Sequence, residues 1–257
     1  MKSMKRTPEQ VAKEAIALLK KKSDPEKAKQ AQKYFKDTIS SFGISAKEVR
    51  GIAQDLYRSL KPDWGVAEAI QLCDLLFPRP ELEAKAIAAL ILAYFKKDFP
   101  KELFFKTKDW LSANYLDNWA SVDVFCPEVV GSLLEEYPEL INEIKDWAFS
   151  PNRWVKRASL VSFLKLARKE RYRDIIFKVS QSIFPVEDDL IQKANGWLLR
   201  EVGKGDPARL ERFLLEHGAS IPRTTLRYAI ERFDKKKRKQ ILFKTKELWK
   251  RTKCPEI

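Results

Sequence analysis

Thr7-Pro8-Glu9-Gln10-Val11-Ala12-Lys13-Glu14-Ala15-Ile16-Ala17-Leu18-Leu19 decides how this chain is read. Thr7 is a residue type whose hydroxyl accepts from the unpaired amides of a helix start, and Pro8 stands where its missing N–H costs nothing. Behind them Val11, Ala15, Leu18 and Leu19 share one face of a helix. The same punctuation returns along the chain. Ser23-Asp24-Pro25-Glu26 restarts a helix that carries Ala28, Ala31, Tyr34 and Phe35 and ends before Phe42-Gly43-Ile44. Ser45, with Glu48 three residues later, makes a capping box for the next. Breaks follow at Lys61-Pro62-Asp63, Phe77-Pro78, Phe99-Pro100, Tyr137-Pro138, Ser150-Pro151, Phe184-Pro185, Asp206-Pro207 and Ile221-Pro222.

Proline favours the first helical turn and disfavours the interior, so its recurrence divides the chain into pairs of helices. Pairs of about thirty-five to forty-five residues predict an all-α chain folded as a curved α-solenoid of HEAT-like helix pairs. An irregular helical bundle is the alternative. Only 8 glycines in 257 residues, and few runs of Val, Ile or Thr at period two, point the same way. With 44% hydrophobic residues the chain is long enough for a proper core, and a single domain over residues 1–257 is expected, closed by a basic helix over residues 234–253.

The charge balance is lopsided, with 50 Lys and Arg against 36 Asp and Glu and a formal net charge of +14. Such an excess fits a polyanionic partner, most often nucleic acid. Cys73, Cys126 and Cys254 are odd in number and far apart, which indicates neither a disulfide framework nor a zinc site. A reducing, cytoplasmic setting is expected. The N-terminus runs into charged helix without the apolar core of a signal peptide, and the longest apolar run, residues 86–95, is too short to span a bilayer. Neither a membrane association nor a metal or other cofactor is expected.

Three stretches carry candidate chemistry. In Asp117-Asn118-Trp119-Ala120-Ser121-Val122-Asp123, Trp119 and Asp123 stand one helical turn apart on the same face. An electron-rich ring beside a carboxylate forms a compact site for a cation. From residue 152, Arg153, Lys156 and Arg157 fall near a helix start, where backbone amides and the macrodipole favour phosphate. Farther on, Lys193, Trp197 and Arg200 lie on nearby turns of one face, an arrangement suited to a sugar-phosphate backbone. Taken singly, each has a commoner reading: a core Trp beside a solvated or capping Asp in the first, a solvated helix face in the second, and a core Trp flanked by solvated charges in the third.

Together, in order and spacing, Trp119 with Ser121-Val122-Asp123, Trp154 with Arg157-Ala158, and Lys193-Ala194 with Gly196-Trp197, Leu199-Arg200-Glu201 resemble the AlkD-like alkylpurine DNA glycosylases, which are built from HEAT-like repeats. Lys33-Tyr34-Phe35-Lys36 followed by Phe42-Gly43-Ile44 extends the likeness, which covers about residues 25–235. The resemblance implies hydrolysis of the N-glycosidic bond of cationic alkylated purines, 3-methyladenine and 7-methylguanine, in duplex DNA, by a monomer that does not flip the base. It implies Asp123, Trp119 and Trp197 as the catalytic set. Arg157, Tyr34, Lys193 and Arg200 look like its DNA-contacting set, to which the basic helix start adds Lys156. One position departs: the family often has a second Trp where this chain has Asn118. The competing function is a non-catalytic helical scaffold that binds structured DNA or a protein.

Overall fold

The structure, a computed structural model, describes residues 5–253, so Cys254 lies outside the described residues. Every regular element among them is helical, as the proline pattern predicts, and the nearest thing to a strand is an isolated parallel bridge between Ser40 and Glu81. The chain divides into two compact units, residues 1–138 and 139–257.

The first unit contains α1 (Pro8–Lys21), α2 (Pro25–Gln32), α3 (Ala46–Leu60), α4 (Val66–Leu76), α5 (Leu82–Tyr94), α6 (Leu103–Ser112), α7 (Trp119–Glu128) and α8 (Val130–Glu136). Thr7 caps α1 in a capping box with Gln10, Asp24 caps α2, and Ser45 with Glu48 caps α3. The apolar run 86–95 is the central part of this unit. It falls mostly within α5, which packs against α1, α3, α4 and α7 and buries Ile87, Ala88, Ile91 and Leu92 completely. A helix covered on so many sides needs apolar residues around most of its circumference, which is why it reads as a long hydrophobic run. No helix among the described residues is long and apolar enough to cross a membrane.

The second helix is shorter than its sequence predicts. It ends at Gln32, so Tyr34 and Phe35 stand in the turn beyond it, and α2 buries no residue. The Gln32 amide competes with a further helical turn, because Nε2 donates to the Phe35 and Asp37 carbonyls and Oε1 accepts from the Ile39 amide. Beyond it, the Glu83 carboxylate, buried on α5, accepts from Ser41 Oγ at 2.7 Å and from the Phe42 and Ile44 amides at 3.0 and 3.2 Å. That clamp fixes the Phe42-Gly43-Ile44 corner, where Gly43 has φ +73° and lies against the backbone of Asp24.

The second unit contains α9 (Ile141–Trp147), α10 (Arg153–Val161), α11 (Glu170–Ser182), α12 (Asp189–Gly205), α13 (Pro207–Glu216), α14 (Arg223–Ala229) and α15 (Lys235–Lys253). Its centre is α12, which touches α10, α11, α13 and α14. In both units a helix packs on its neighbour and on the next but one, the contact order of stacked helix pairs. Two buried amides pin α12: Asn195 Nδ2 donates to the Ser180 carbonyl at 2.9 Å, and Gln192 Nε2 to the Ile183 carbonyl at 3.0 Å. Its approach to α14 depends on Gly196, where an added Cβ would lie 2.4 Å from Tyr228 Cβ and 2.6 Å from the Thr225 carbonyl oxygen. Gly196→Ala is therefore expected to cost about 3 kcal/mol in chemical denaturation. A loss below about 1 kcal/mol would mean that α14 gives way easily.

Candidate active site

Asn118, where the resemblance leads one to expect Trp, is the N-cap of α7. Its side-chain oxygen accepts from the Ser121 amide at 2.9 Å, and Ser121 Oγ returns a bond to the Asn118 carbonyl at 3.0 Å. Asn118 Nδ2 donates to Asp117 Oδ1 at 3.0 Å, and the same oxygen receives Lys85 Nζ from α5 at 2.6 Å. Lys85 is only 2% exposed, so its ammonium is held inside the unit by this carboxylate, whose own side chain is half exposed. The chain from Lys85 through Asp117 to Asn118 fixes where α7 starts, and Trp119 is its first residue.

Both Trp119 and Asp123 are half-buried on α7, one turn apart as their spacing requires. Phe35 stacks on the Trp119 indole with ring centroids 4.9 Å apart and planes 17° from parallel. That stack supports one face of the indole and brings the turn after α2 to α7. Tyr34, 78% exposed, stands in the same turn between Lys33 and Lys36, both exposed. Pro127 lies inside α7, where it can offer no amide hydrogen to the Asp123 carbonyl, and the helix gives way to α8 within three residues. The structure thus gathers Tyr34, Trp119 and Asp123 on the first unit, with Phe35 as a partner the sequence reading passed over.

The remaining candidates lie on the second unit. Asn152 caps α10 by accepting from the Trp154 and Val155 amides at 2.8 and 3.2 Å, so two of the amides expected to meet phosphate are already satisfied. Arg153 is tied to Asp188 at 2.6 Å. Lys156 is half-buried one residue before Arg157. Arg157 itself is 5% exposed and donates through Nη1 to the Leu190 carbonyl, joining α10 to the start of α12. The sequence reading places it near a helix start suited to phosphate; packing of its helix against α12 turns Nη1 to a backbone carbonyl.

On α12, Lys193, Trp197 and Arg200 are half-buried along one face, while Ala194, Leu198, Leu199 and Val202 fill the core behind them. Both cations have carboxylates. Lys193 Nζ lies 2.8 Å from Asp189 Oδ2 one turn earlier, and the hydrogen bond to that carboxylate holds the ammonium above its ordinary pKa. Arg200 is paired with Glu231. A phosphate meeting this face would have to displace or share those acids.

A family model described as "DNA alkylation repair enzyme" matches residues 15–233. No curated protein matches the sequence. Among solved structures, the chain is similar to a "predicted DNA alkylation repair enzyme from Enterococcus faecalis", with 23% identity, a TM-score of 0.72, and coverage of 83% of this chain and 97% of that one.

The cap network generates its own test. Asp117→Ala leaves the buried Lys85 ammonium without its carboxylate, at an expected cost of about 2 kcal/mol, less than a fully buried pair because Asp117 reaches solvent. Adding Lys85→Met should recover most of that loss in urea denaturation, since an unbranched apolar side chain one atom shorter fills most of the same space. No recovery would mean that the cost arises elsewhere than at the stranded charge.

Proposed function

The chain belongs to the DNA alkylation repair enzyme family, and from that premise we propose that it is a DNA glycosylase acting on cationic alkylated purines, 3-methyladenine and 7-methylguanine, in duplex DNA, as the first step of base excision repair. The observation that carries this reading is the single face of α7 on which Trp119, backed by Phe35, and Asp123 stand one turn apart behind a fixed helix start.

The chemistry suits those groups. Alkylation at N3 of adenine or N7 of guanine puts a positive charge on the base, so the glycosidic bond breaks toward a neutral leaving group and leaves cationic character on the sugar. No general acid is needed for that departure. A carboxylate about 4 Å from the developing cation, at an effective dielectric near 20, stabilises it by up to about 4 kcal/mol. That ceiling corresponds to roughly a thousandfold in rate. Asp123 is assigned this role, with orientation of the attacking water as its second use. Trp119, and Trp197 as the second aromatic that the resemblance implies, each add about 0.5–2 kcal/mol toward a cationic nucleotide through the electron-rich indole face.

Tyr34, Lys156, Lys193 and Arg200 are assigned to the sugar-phosphate backbone. For Lys193 and Arg200 this means exchanging Asp189 and Glu231 for phosphate, an exchange of one charge-assisted bond for another. Arg157, largely interior, is assigned to DNA on the resemblance alone. Since the groups proposed to act contact the base's sugar and backbone, the base need not leave the stack, in contrast to enzymes that extrude it.

Asp123→Asn keeps the side chain's size and removes its charge. Single-turnover excision of 7-methylguanine is expected to fall by about one to three orders of magnitude, while affinity for the same duplex stays within a fewfold or rises. Excision at the wild-type rate by a well-folded Asp123→Asn protein would remove the catalytic assignment and leave a binding scaffold.

A further inference from the structure

The family match stops at residue 233, and α15 begins just beyond it at Lys235. This helix holds ten Lys and Arg against a single Glu, so it carries a net +9 of the chain's formal +14. Its inner side is firmly seated. Ile241 and Thr245 are buried, Thr245 Oγ1 accepts from Arg223 Nη1 at 3.1 Å, and Lys237 meets Glu211 of α13 at 2.7 Å. Gly218 lets the helix lie close, since a Cβ there would come within 2.9 Å of Leu248. With the inner side fixed, the outer side is fixed too.

That outer side carries Lys236, Lys239, Phe243, Lys246 and Lys250, spaced alternately three and four residues apart and therefore in one row. Lys235, Lys236, Lys239, Lys244 and Lys246 are exposed, and none enters an ion pair among the described residues. Like charges one turn apart repel, so a row of them gains most from a partner that is itself a row of negative charges.

We propose that the outer face of α15 is a docking surface for the phosphate backbone of duplex DNA, indifferent to damage and additional to the residues that meet the alkylated nucleotide. It rests on the reading above only in taking DNA as the partner. The dimensions fit: Lys236 to Lys250 covers about 21 Å at roughly 1.5 Å per residue. One strand presents a phosphate about every 3.4 Å of duplex axis, so the row reaches about six of them. An anionic membrane surface is the poorer match. A helix lying in that interface needs a broad apolar face turned outward, whereas Ile241 is buried and the exposed apolar residues of α15 form no such face: Phe243, 67% exposed, stands among lysines, and Leu248 and Trp249, 37% and 48% exposed, lie off the row.

The test uses the full chain with Lys235, Lys236, Lys239, Lys244 and Lys246 all changed to Gln, compared with the same five changed to Arg. Anisotropy titrations on an undamaged duplex between 50 and 200 mM salt give the slope of log affinity against log salt. Each lost phosphate contact lowers that slope by about 0.9, so the Gln variant is expected to lose about four and the Arg variant almost nothing. The wild-type loss of affinity across that range should shrink by about two orders of magnitude in the Gln variant. An unchanged slope in the Gln variant overturns the proposal. So does an equal fall in the Arg variant, or a loss of binding to phosphatidylserine vesicles while the DNA slope stays as in wild type. Base release by the wild-type chain is scored separately: a protein that releases no methylated base yet loses its slope as expected leaves this proposal standing and removes the glycosylase reading.

Discussion

The contact between Lys85 and Asp117 is the constraint on which the candidate chemistry depends. An ammonium 2% exposed must have a carboxylate, and among the described residues Lys85 finds it in Asp117, just before the α7 cap. Asn118 bonds to the same oxygen and then holds the Ser121 amide, so the electrostatic demand of a buried lysine on the central helix α5 is passed through two side chains to the start of α7. Trp119 and Asp123 take their positions from that start. The departure at Asn118 thus has a physical reason in this chain: a Trp there has no side-chain oxygen to accept from the Ser121 amide and could not cap the helix.

A second constraint is local charge balance. Lys193 and Arg200 are held by Asp189 and Glu231 before any ligand arrives, whereas on the outer row of α15 Lys250 alone meets an acid, Glu247, and Lys236, Lys239 and Lys246 enter no ion pair among the described residues. Cations already paired move the cost of DNA binding into an exchange of partners, which limits nonspecific affinity at those positions and favours a ligand whose phosphates are well placed. Cations without partners do the opposite, giving affinity that is strong, general and dependent on salt. The chain's net charge of +14 is therefore not one property but two.

Much of this was legible in the sequence where the physics is local. Thr7, Asp24, Ser45, Asn152 and Asp206 cap helices because a cap is settled within three or four residues. The apolar run at 86–95 reads only as too short to span a bilayer; that it is a helix covered by α1, α3, α4 and α7 depends on the packing. What was not legible depends on partners distant in the chain. Lys85 and Asp117 are 32 residues apart, and neither is unusual in its own neighbourhood. Tyr34 and Phe35 fit a helical period, yet Gln32 turns its amide to the Phe35 and Asp37 carbonyls and the helix stops. Arg157 reads as a candidate phosphate contact, and nothing near it in sequence announces the Leu190 carbonyl to which it donates. Gly196 was part of a motif, but its reason, the backbone of α14 at van der Waals distance, lies some thirty residues on.

The central claim is that the carboxylate set on this scaffold serves bond cleavage and not binding alone. Its most direct measurement is the product released when excess purified protein is incubated, without metal or cofactor, with duplex DNA carrying a single 7-methylguanine. Free 7-methylguanine appearing in step with abasic sites on the same strand is the result expected. Tight binding of that duplex with neither product formed would contradict the account.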